Sequence, residues 1–326
     1  MAWKNLTQTS LADAFIHEHD AITELDELNQ LIDWKSIERQ LITINNSPIG
    51  ERAWPPLMMF KILLLQSFYT LSDPACEKQL ARDLLFKRFV GLSLTDSVPD
   101  HSTIWRFRNN LNKSGLLQKL LDNINLQLSS KGLIIKNGQA SIIDASVIQA
   151  KNNRPKKNIK GENTQDKEAS YNVKTASNGK QKTTYGFKAH INVDEDGFIL
   201  NQSLTTGCLH DSNVFEELLT GNEEAVYADS AYKSQKHDRL LKDKKVQNQV
   251  LQRAYRNKPL TEAQKQHNRF ASQVRYVVER TFGVLKQHYG LAYAKHMGIE
   301  RNQARLTIIC IAHNLKRAVN IQRSCT

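Results

Sequence analysis

Apolar residues recur at helical intervals through roughly the first 136 residues and at strand-like density after that, and this change divides the chain. Pro55-Pro56 opens a run in which Leu57, Leu64, Leu65 and Phe68 keep helical spacing around Lys61, so a helix is predicted there. Asp73-Pro74 is a second start signal, a capping residue before a proline at the first helical position. Leu80, Leu84, Phe86, Phe89 and Val90 then supply one packing face, which ends at Gly91. In VPDHSTIWRFRNNL, Asp100 or Ser102 caps a short helix whose Ile104, Phe107 and Leu111 face inward while Arg106 and Arg108 face outward. A helix with outward arginines, set after a turn and another helix, suits a DNA-reading helix-turn-helix and equally suits a plain packing pair.

From residue 137 the period shortens. GQASIIDASVIQA has the apolar density of a buried strand, with Asp144 at its centre. Residues 151–182 are polar and lysine-rich, without periodicity, and read as a loop. TTYGFKAHINV and GFILNQSLTTG read as two strands joined by a DEDG turn. Asp211 or Ser212 is expected to cap a helix through VFEELL, and AVYADSAY is a further strand that ends in Asp229. SQKHDRLLKDKK is a basic helix, VQNQVLQ a candidate strand, and a long helix is expected from about Phe270. RLTIICIAHNLKRAV reads as two final helical turns. The expected architecture is an all-helical region, 1–136, followed by an α/β domain with a mixed sheet, 137–320, and a tail, 321–326.

Charge sharpens this picture because it is uneven. Residues 1–50 carry −5 of a total of +12, so the remainder carries +17, of which residues 151–188 hold +7. Clustered bases and a pI near 9.4 point to a polyanion, most commonly nucleic acid. Cys76, Cys208, Cys310 and Cys325 are scattered, with no CxxC pair, so neither a zinc site nor a disulfide framework is indicated, and a reducing cytoplasm suits them. The longest apolar stretch, LMMFKILLLQSFYTL, is broken by Lys61 and Gln66, and the first twenty residues lack a secretory pattern, so no membrane association is expected.

Three acids do not fit a purely structural account. Asp144 lies among Ile142, Ile143, Val147 and Ile148, and Asp229 follows Val226 and Tyr227 at the end of another apolar strand. Carboxylates are rarely placed so unless paired or metal-bound. The carboxyl ends of strands are also where open α/β sheets carry their sites. Glu279, in RYVVERTFGVLKQHYG, falls within roughly 40° of Arg275 and Lys286 on a helical wheel, beside an apolar face of Val274, Val277, Val278, Phe282 and Leu285. An Arg275–Glu279 pair contributes only about 0.2–0.5 kcal/mol and leaves the two aspartates unexplained. Asp144, Asp229 and Glu279 gathered around two Mg²⁺ (or Mn²⁺) ions about 3.5–4 Å apart account for all three, with in-line phosphodiester displacement as the chemistry. Arg275 and Lys286 then hold the phosphates of the nucleic acid.

DASV, YADSAY and RYVVERTFGVLK, in that order, resemble the DDE transposases of bacterial insertion sequences, specifically the insertion-sequence-five group. WPPLMMFKILLLQ, YTLSD, VPDHSTIWRFRNNL, KEASYNVK, YGFKAHINVD and HDS extend the resemblance from about residue 50 to residue 320. It implies an RNase H-like catalytic domain, with the first aspartate on the first strand, the second just after the fourth, and the glutamate on a late helix. The implied activity is metal-dependent cleavage at the inverted repeats of an element's double-stranded DNA ends, then strand transfer of the 3′-hydroxyl into target DNA, by at least a dimer. Only 50 residues separate Asp229 from Glu279, which leaves no room for the large β insertion of some relatives. Ser272 stands where the broader superfamily has a tyrosine.

The remaining candidates have plainer alternatives. His190 points toward the site or satisfies a core hydrogen bond, and Lys188, on the same side of its strand, is a candidate phosphate contact. His210-Asp211-Ser212 reads as a helix cap and Asp194-Glu195-Asp196 as a turn. Lys156, Lys157 and Lys160 suit sequence-independent phosphate contact or a solvated loop. Two functions from different classes remain: an active transposase, and a DNA-binding protein without catalysis.

Overall fold

Helix α1 (Asp20–Thr23) begins the region described by the computed structural model, which covers residues 19–44, 52–134, 140–162, 164–175, 179–255 and 258–325. The first eighteen residues, and the Gly138 at the start of the first predicted strand, lie outside it. The chain forms two compact units, one of Met1–Leu133 with Thr307–Thr326 and one of Ile134–Leu306.

The first unit is helical: after α1 come α2 (Asp26–Leu31), α3 (Trp34–Leu41), α4 (Pro56–Phe68), α5 (Asp73–Arg82), α6 (Leu84–Val90), α7 (His101–Lys113) and α8 (Leu116–Ser130). Helix α4 starts with Pro56 in its first turn, as the Pro-Pro signal predicts, and its Met58, Met59, Phe60 and Ile62 through Leu65 are all buried. A helix apolar on every side belongs at the centre of a core. The helix expected to run from Asp73 to Val90 is two helices. Asp83 is extended, and its carboxylate accepts from the backbone N–H groups of Leu85 and Phe86, which starts α6. Ser72, not Asp73, caps α5. That leaves the Asp73 carboxylate free to accept from Gln66 and from Arg108. Gly91 ends α6 with φ of +82°, a conformation only glycine adopts without strain.

The second unit carries β1 (Ala140–Gln149), β2 (Ser170–Thr175), β3 (Gln181–Val193), β4 (Ile199–Thr206), α9 (Phe215–Leu218), β5 (Ala225–Ala228), α10 (Gln235–Asp243), β6 (Gln247–Asn248) and α11 (Glu262–His288). The sheet is mixed, in order β2-β3-β1-β5-β6, with β4 also paired to β3. β1 runs antiparallel to β3 and parallel to β5. β3 pairs with β2 through its first half and with β1 and β4 through its second. Gly186 is required where β3 crosses close to β1, since a Cβ there would lie 1.9 Å from the Ile148 carbonyl oxygen. Ile143, Val226, Ala228, Val214, Phe215, Leu218, Tyr232 and Leu241 form one buried cluster in this unit.

Several expectations change. SYNVKT, inside the predicted 151–182 loop, is strand β2, and its alternately polar, exposed composition reflects a strand wet on one side. The long helix starts eight residues before Phe270, because Thr261 and Gln264 form a reciprocal capping box. VQNQVLQ contributes only the two residues of β6. The last helix is not two turns: α12 (Ile299–Cys325) is 27 residues long. Residues 307–320, expected in the α/β domain, belong to the helical unit. They carry the buried Ile308, Ile309, Ile311 and Leu315, and Asn314 donates to the side chain of Asn125 on α8. Among the described residues no helix is long and apolar enough to cross a membrane.

Candidate active site

The two aspartates meet because their strands do. β1 and β5 are parallel neighbours, with Ile142 opposite Tyr227 and Ile143 opposite Ala228, so Asp144 and Asp229 are the next residues on adjacent strands. Asp144 stays within β1, whereas β5 ends and Asp229 caps a short 3-10 turn, accepting from the Ser230 N–H at 2.6 Å. Helix α11 lies against β1, β3 and β5. It buries Val278, Phe282 and Leu285, and one turn apart on the adjoining stripe it carries Arg275 and Glu279. Arg275 is itself buried, at 8% exposure. Its Nη2 lies 3.7 Å from an Asp144 carboxylate oxygen and 3.8 Å from one of Glu279, so those two oxygens are separated by no more than the sum of these spans. Both contacts are longer than a hydrogen bond, and the Arg275 Nε is buried with no partner.

The electrostatics follow from this crowding. Burial pushes the Asp144 carboxyl up to about 6, against the pull of Arg275 and the Ala145 N–H, and the negative charges of Asp229 and Glu279 push it further in the same direction. Tyr232, which no periodic pattern in the sequence singles out, lies in the same electrostatic environment. Its hydroxyl is buried without a hydrogen-bond partner, and burial, then Asp211, Asp144 and Asp229, drives its pKa well above the ordinary phenol value. The only sequence signal for it was its place in YADSAY.

As donors the three carboxylates suit a hard divalent cation: oxygen ligands, a desolvated aspartate, and mutual repulsion that positive charge relieves. Their spacing is looser than their chemistry. Among the described residues no three His, Cys, Asp or Glu side chains stand close enough to hold one ion, and Arg275 supplies the positive charge between Asp144 and Glu279.

Two other sequence candidates are overturned as free phosphate contacts. Lys188 is buried, donating at 2.8 Å to Asp211 and at 2.7 Å to the Leu209 carbonyl. Arg108 does not face outward but is buried, bonded to Gln66 at 2.8 Å and to Asp73. Arg106 is exposed, as expected, and its guanidinium donates to Thr103 at 3.0 Å. Lys156 and Lys157 are exposed. Lys286 is half-buried and its pKa is lowered by burial and by Lys174 and Lys182. His190 takes the core role: it is fully buried, its Nε2 lies 2.9 Å from the Thr205 hydroxyl, and burial lowers its pKa to about 4. Capping before α9 falls to His210, whose Nδ1 accepts from the Ser212 N–H, because Asp211 is engaged by Lys188. The Asp194 turn forms as predicted, with its carboxylate accepting from the Phe198 N–H.

A mixed sheet with one aspartate on β1, another just past the end of parallel β5 and a glutamate on the helix packed against that sheet makes this an α/β chain, and its match to a transposase family model over more than half of its length shows that it belongs to the DDE transposases. Residues 136–315 match the family model "Transposase DDE domain", and residues 10–110 match "Transposase domain (DUF772)". Among curated relatives, the chain is 33% identical over 227 residues to the "Transposase for insertion sequence element IS1106" of Neisseria meningitidis serogroup B, covering 66% of this chain and 77% of that one. A solved structure, "Crystal structure of the Mos1 Strand Transfer Complex", is 10% identical with a TM-score of 0.20, covering 94% of this chain and 98% of that one, a likeness too slight to carry an argument.

Proposed function

We propose that this transposase cleaves DNA strands at the inverted repeats of an element of the insertion-sequence-five group and joins the freed 3′-hydroxyl to target DNA, with Asp144, Asp229 and Glu279 as its catalytic carboxylates in an RNase H-like domain. One observation carries the reading: the buried Arg275 reaches toward both Asp144 and Glu279, while Asp229 follows directly on the strand that pairs with β1. Asp144 and Asp229, 85 residues apart in the chain, thereby stand within and just past paired strands, and Glu279 is linked to Asp144 through long contacts of Arg275, in a place where a structural role would demand tight, saturated ion pairs.

Asp144, Asp229 and Glu279 would hold Mg²⁺ or Mn²⁺, two ions in the active complex. Such ions, when bound, lower the pKa of an attacking water or hydroxyl and offset charge on the leaving oxygen. The protein's own contribution is orientation and charge. The backbone of β1 and the Ser230 N–H fix the two aspartates. Arg275, loosely held with an unpartnered Nε, is available to shift from the carboxylates onto a scissile phosphate, which also vacates the space between Asp144 and Glu279. Lys286, two helical turns beyond Glu279, supports the strand that leaves the site. Duplex DNA ends and target DNA are the partners, and pairing two ends requires at least a dimer. Labelled end DNA incubated with Mg²⁺ tests the reading: the wild-type chain nicks it and Asp144→Asn does not, whereas nicking by the variant sinks the assignment.

A further inference from the structure

Beyond Asp144 the sheet opens into a cleft that the three acids do not use. Its volume is about 300 Å³, at the low end of the roughly 300–1,000 Å³ that ligand sites occupy. Ser146, Val147 and Gln149 of β1 form one side, starting two residues past Asp144. The β2–β3 pair forms another. There the register sets Asn172 opposite Thr184 and Lys174 opposite Lys182, so all four share one face of the hairpin and line the cleft. Lys286 of α11 and exposed Tyr293 complete the lining. Tyr293 is pinned there because the chain beside it pairs with the end of β1, where the Gln149 N–H donates to Ala292 and the Ala294 N–H to Gln149.

Three ammonium groups thus converge on one small concavity, and none is in an ion pair among the described residues. Holding like charges together costs stability in the free protein, and at Lys286 the Asp144 carboxylate offsets only part of that cost. Lys286 feels that cost, since burial first, and then Lys174 and Lys182, lower its pKa. An arrangement of this kind is relieved by an anion with several acceptor oxygens. The cleft is too small for a duplex, and Tyr293, with 62% of its surface exposed, offers a ring face rather than a packed one. Aromatic faces beside a basic groove are what unpaired nucleotides use, stacking the base and seating the phosphate.

We propose that this cleft is a subsite for one unpaired nucleotide of the strand that continues past the scissile phosphate, its phosphate held by Lys174, Lys182 and Lys286 and its base stacked on Tyr293. The assignment rests on the proposed cleavage site only for its direction, since the cleft begins where β1 leaves Asp144. A free mononucleotide would satisfy the same charges, but the exposed lysines and the open tyrosine suit a ligand that enters and leaves as a chain. By sequence the lysines of 151–182 belong to a predicted loop. The pairing of β2 with β3 is what aligns Lys174 and Lys182.

The test uses the full-length protein and a fluorescent oligothymidylate, with binding read by anisotropy over a series of salt concentrations. Lys174→Gln with Lys182→Gln, both exposed positions, is expected to weaken binding at least tenfold and to flatten the salt dependence by about one to two contacts. Tyr293→Ala is expected to lose roughly fivefold or more at constant salt slope, and Tyr293→Phe to bind as wild type. Asp144→Asn is expected to bind the oligothymidylate normally while failing to nick end DNA, which separates this subsite from the metal assignment. Unchanged binding in the lysine pair overturns the subsite and leaves the cleavage reading standing. Competition by inorganic phosphate or thymidine monophosphate at the oligonucleotide's own affinity also overturns it, reducing the cleft to a simple anion site.

Discussion

The helical unit and the sheet unit each bury an arginine against carboxylates, and they do so in opposite ways. Arg108 is saturated: it donates to Asp73 and to Gln66, and Gln66 donates in turn to Asp73. Arg275 is loose, 3.7 and 3.8 Å from two acids with its Nε unpartnered. A structural ion pair repays desolvation only when its geometry is good and its remaining donors are satisfied. Arg108 meets that condition and Arg275 does not, so Arg275 marks a place where the fold tolerates unspent charge. Unspent charge is what a site that receives phosphate and divalent cations needs.

The largest expected effect breaks the comparison on the functional side. Asp144→Asn, Asp229→Asn and Glu279→Gln should each lower metal-dependent nicking of labelled end DNA by at least about 10³-fold, since each removes a ligand and not merely a charge. Removing Asp73, the corresponding acid of the helical unit, should impair nicking only as far as the chain unfolds. A variant of the three that keeps more than a tenth of wild-type activity would place its residue outside the chemistry.

Stability should rank the two arginines in the reverse order. Arg108→Ala strands Asp73 beside Gln66 and is expected to cost roughly 3–5 kcal/mol in urea denaturation. Arg275→Ala should cost clearly less than Arg108→Ala, because its contacts are long and Asp144, already raised to about 6, can take up a proton instead. Equal losses would mean that Arg275 is an ordinary structural pair.

This contrast also explains what could be read from sequence. Asp144, Asp229 and Glu279 were legible because each breaks a local pattern: an acid in an apolar strand, an acid at a strand's end, an acid beside a helix's buried face. Arg108, expected to face outward, and Lys188 are both buried against partners, Asp73 and Asp211, that lie 35 and 23 residues away and that no local pattern reveals. Helical spacing gave Arg108 the outward side, and only the three-dimensional placement of Asp73 turns it in. β2 was hidden for a related reason. Tyr171 and Val173 alternate with polar residues but are exposed and flanked by lysine-rich, polar sequence, so the short alternation is weak as a signal and the strand depends on pairing with β3. The capping box at Thr261 was local and readable, yet the apolar periodicity drew the helix start to Phe270.

Acid titration offers a finer probe within the sheet unit, where Asp144 and His190 occupy adjoining positions on paired strands, Ala145 standing opposite His190. The native carboxyl of Asp144 is raised from 3.8 to about 6, so the native state holds a proton the unfolded state has lost; this group favours folding at low pH and that gain is lost as pH rises from about 4 through 6. His190 is lowered from 6.5 to about 4, so the unfolded state binds the extra proton; its contribution is present above about 6.5 and lost as pH falls toward 4. Each is worth up to about 3 kcal/mol, with opposite sign over nearly the same window. In metal-free buffer the wild-type chain should therefore show a shallow pH dependence of stability between 4 and 6.5. Asp144→Asn should lose stability as the pH falls through that window, and His190→Gln should gain it. Parallel slopes in the two variants would contradict the opposed environments.

The smallest effect concerns Arg106, two residues from Arg108 on α7 and its opposite in fate. Arg106 is exposed beside Trp105, itself 45% exposed, and among the described residues its guanidinium donates to the Ser102 and Thr103 hydroxyls of the preceding turn. Such a side chain, which also sits in the field of the Asp100 carboxylate, can exchange those hydroxyls for a phosphate. If α7 meets DNA, Arg106→Ala should weaken binding of end DNA by about tenfold or less and reduce the salt slope by about one, without changing stability measurably. The same substitution in a helix that only packs should leave affinity and slope untouched. The basic residues that grip DNA would then belong to the sheet unit, among them Lys156 and Lys157, and the exposed arginine would be as incidental to binding as the buried one beside it is essential to the fold.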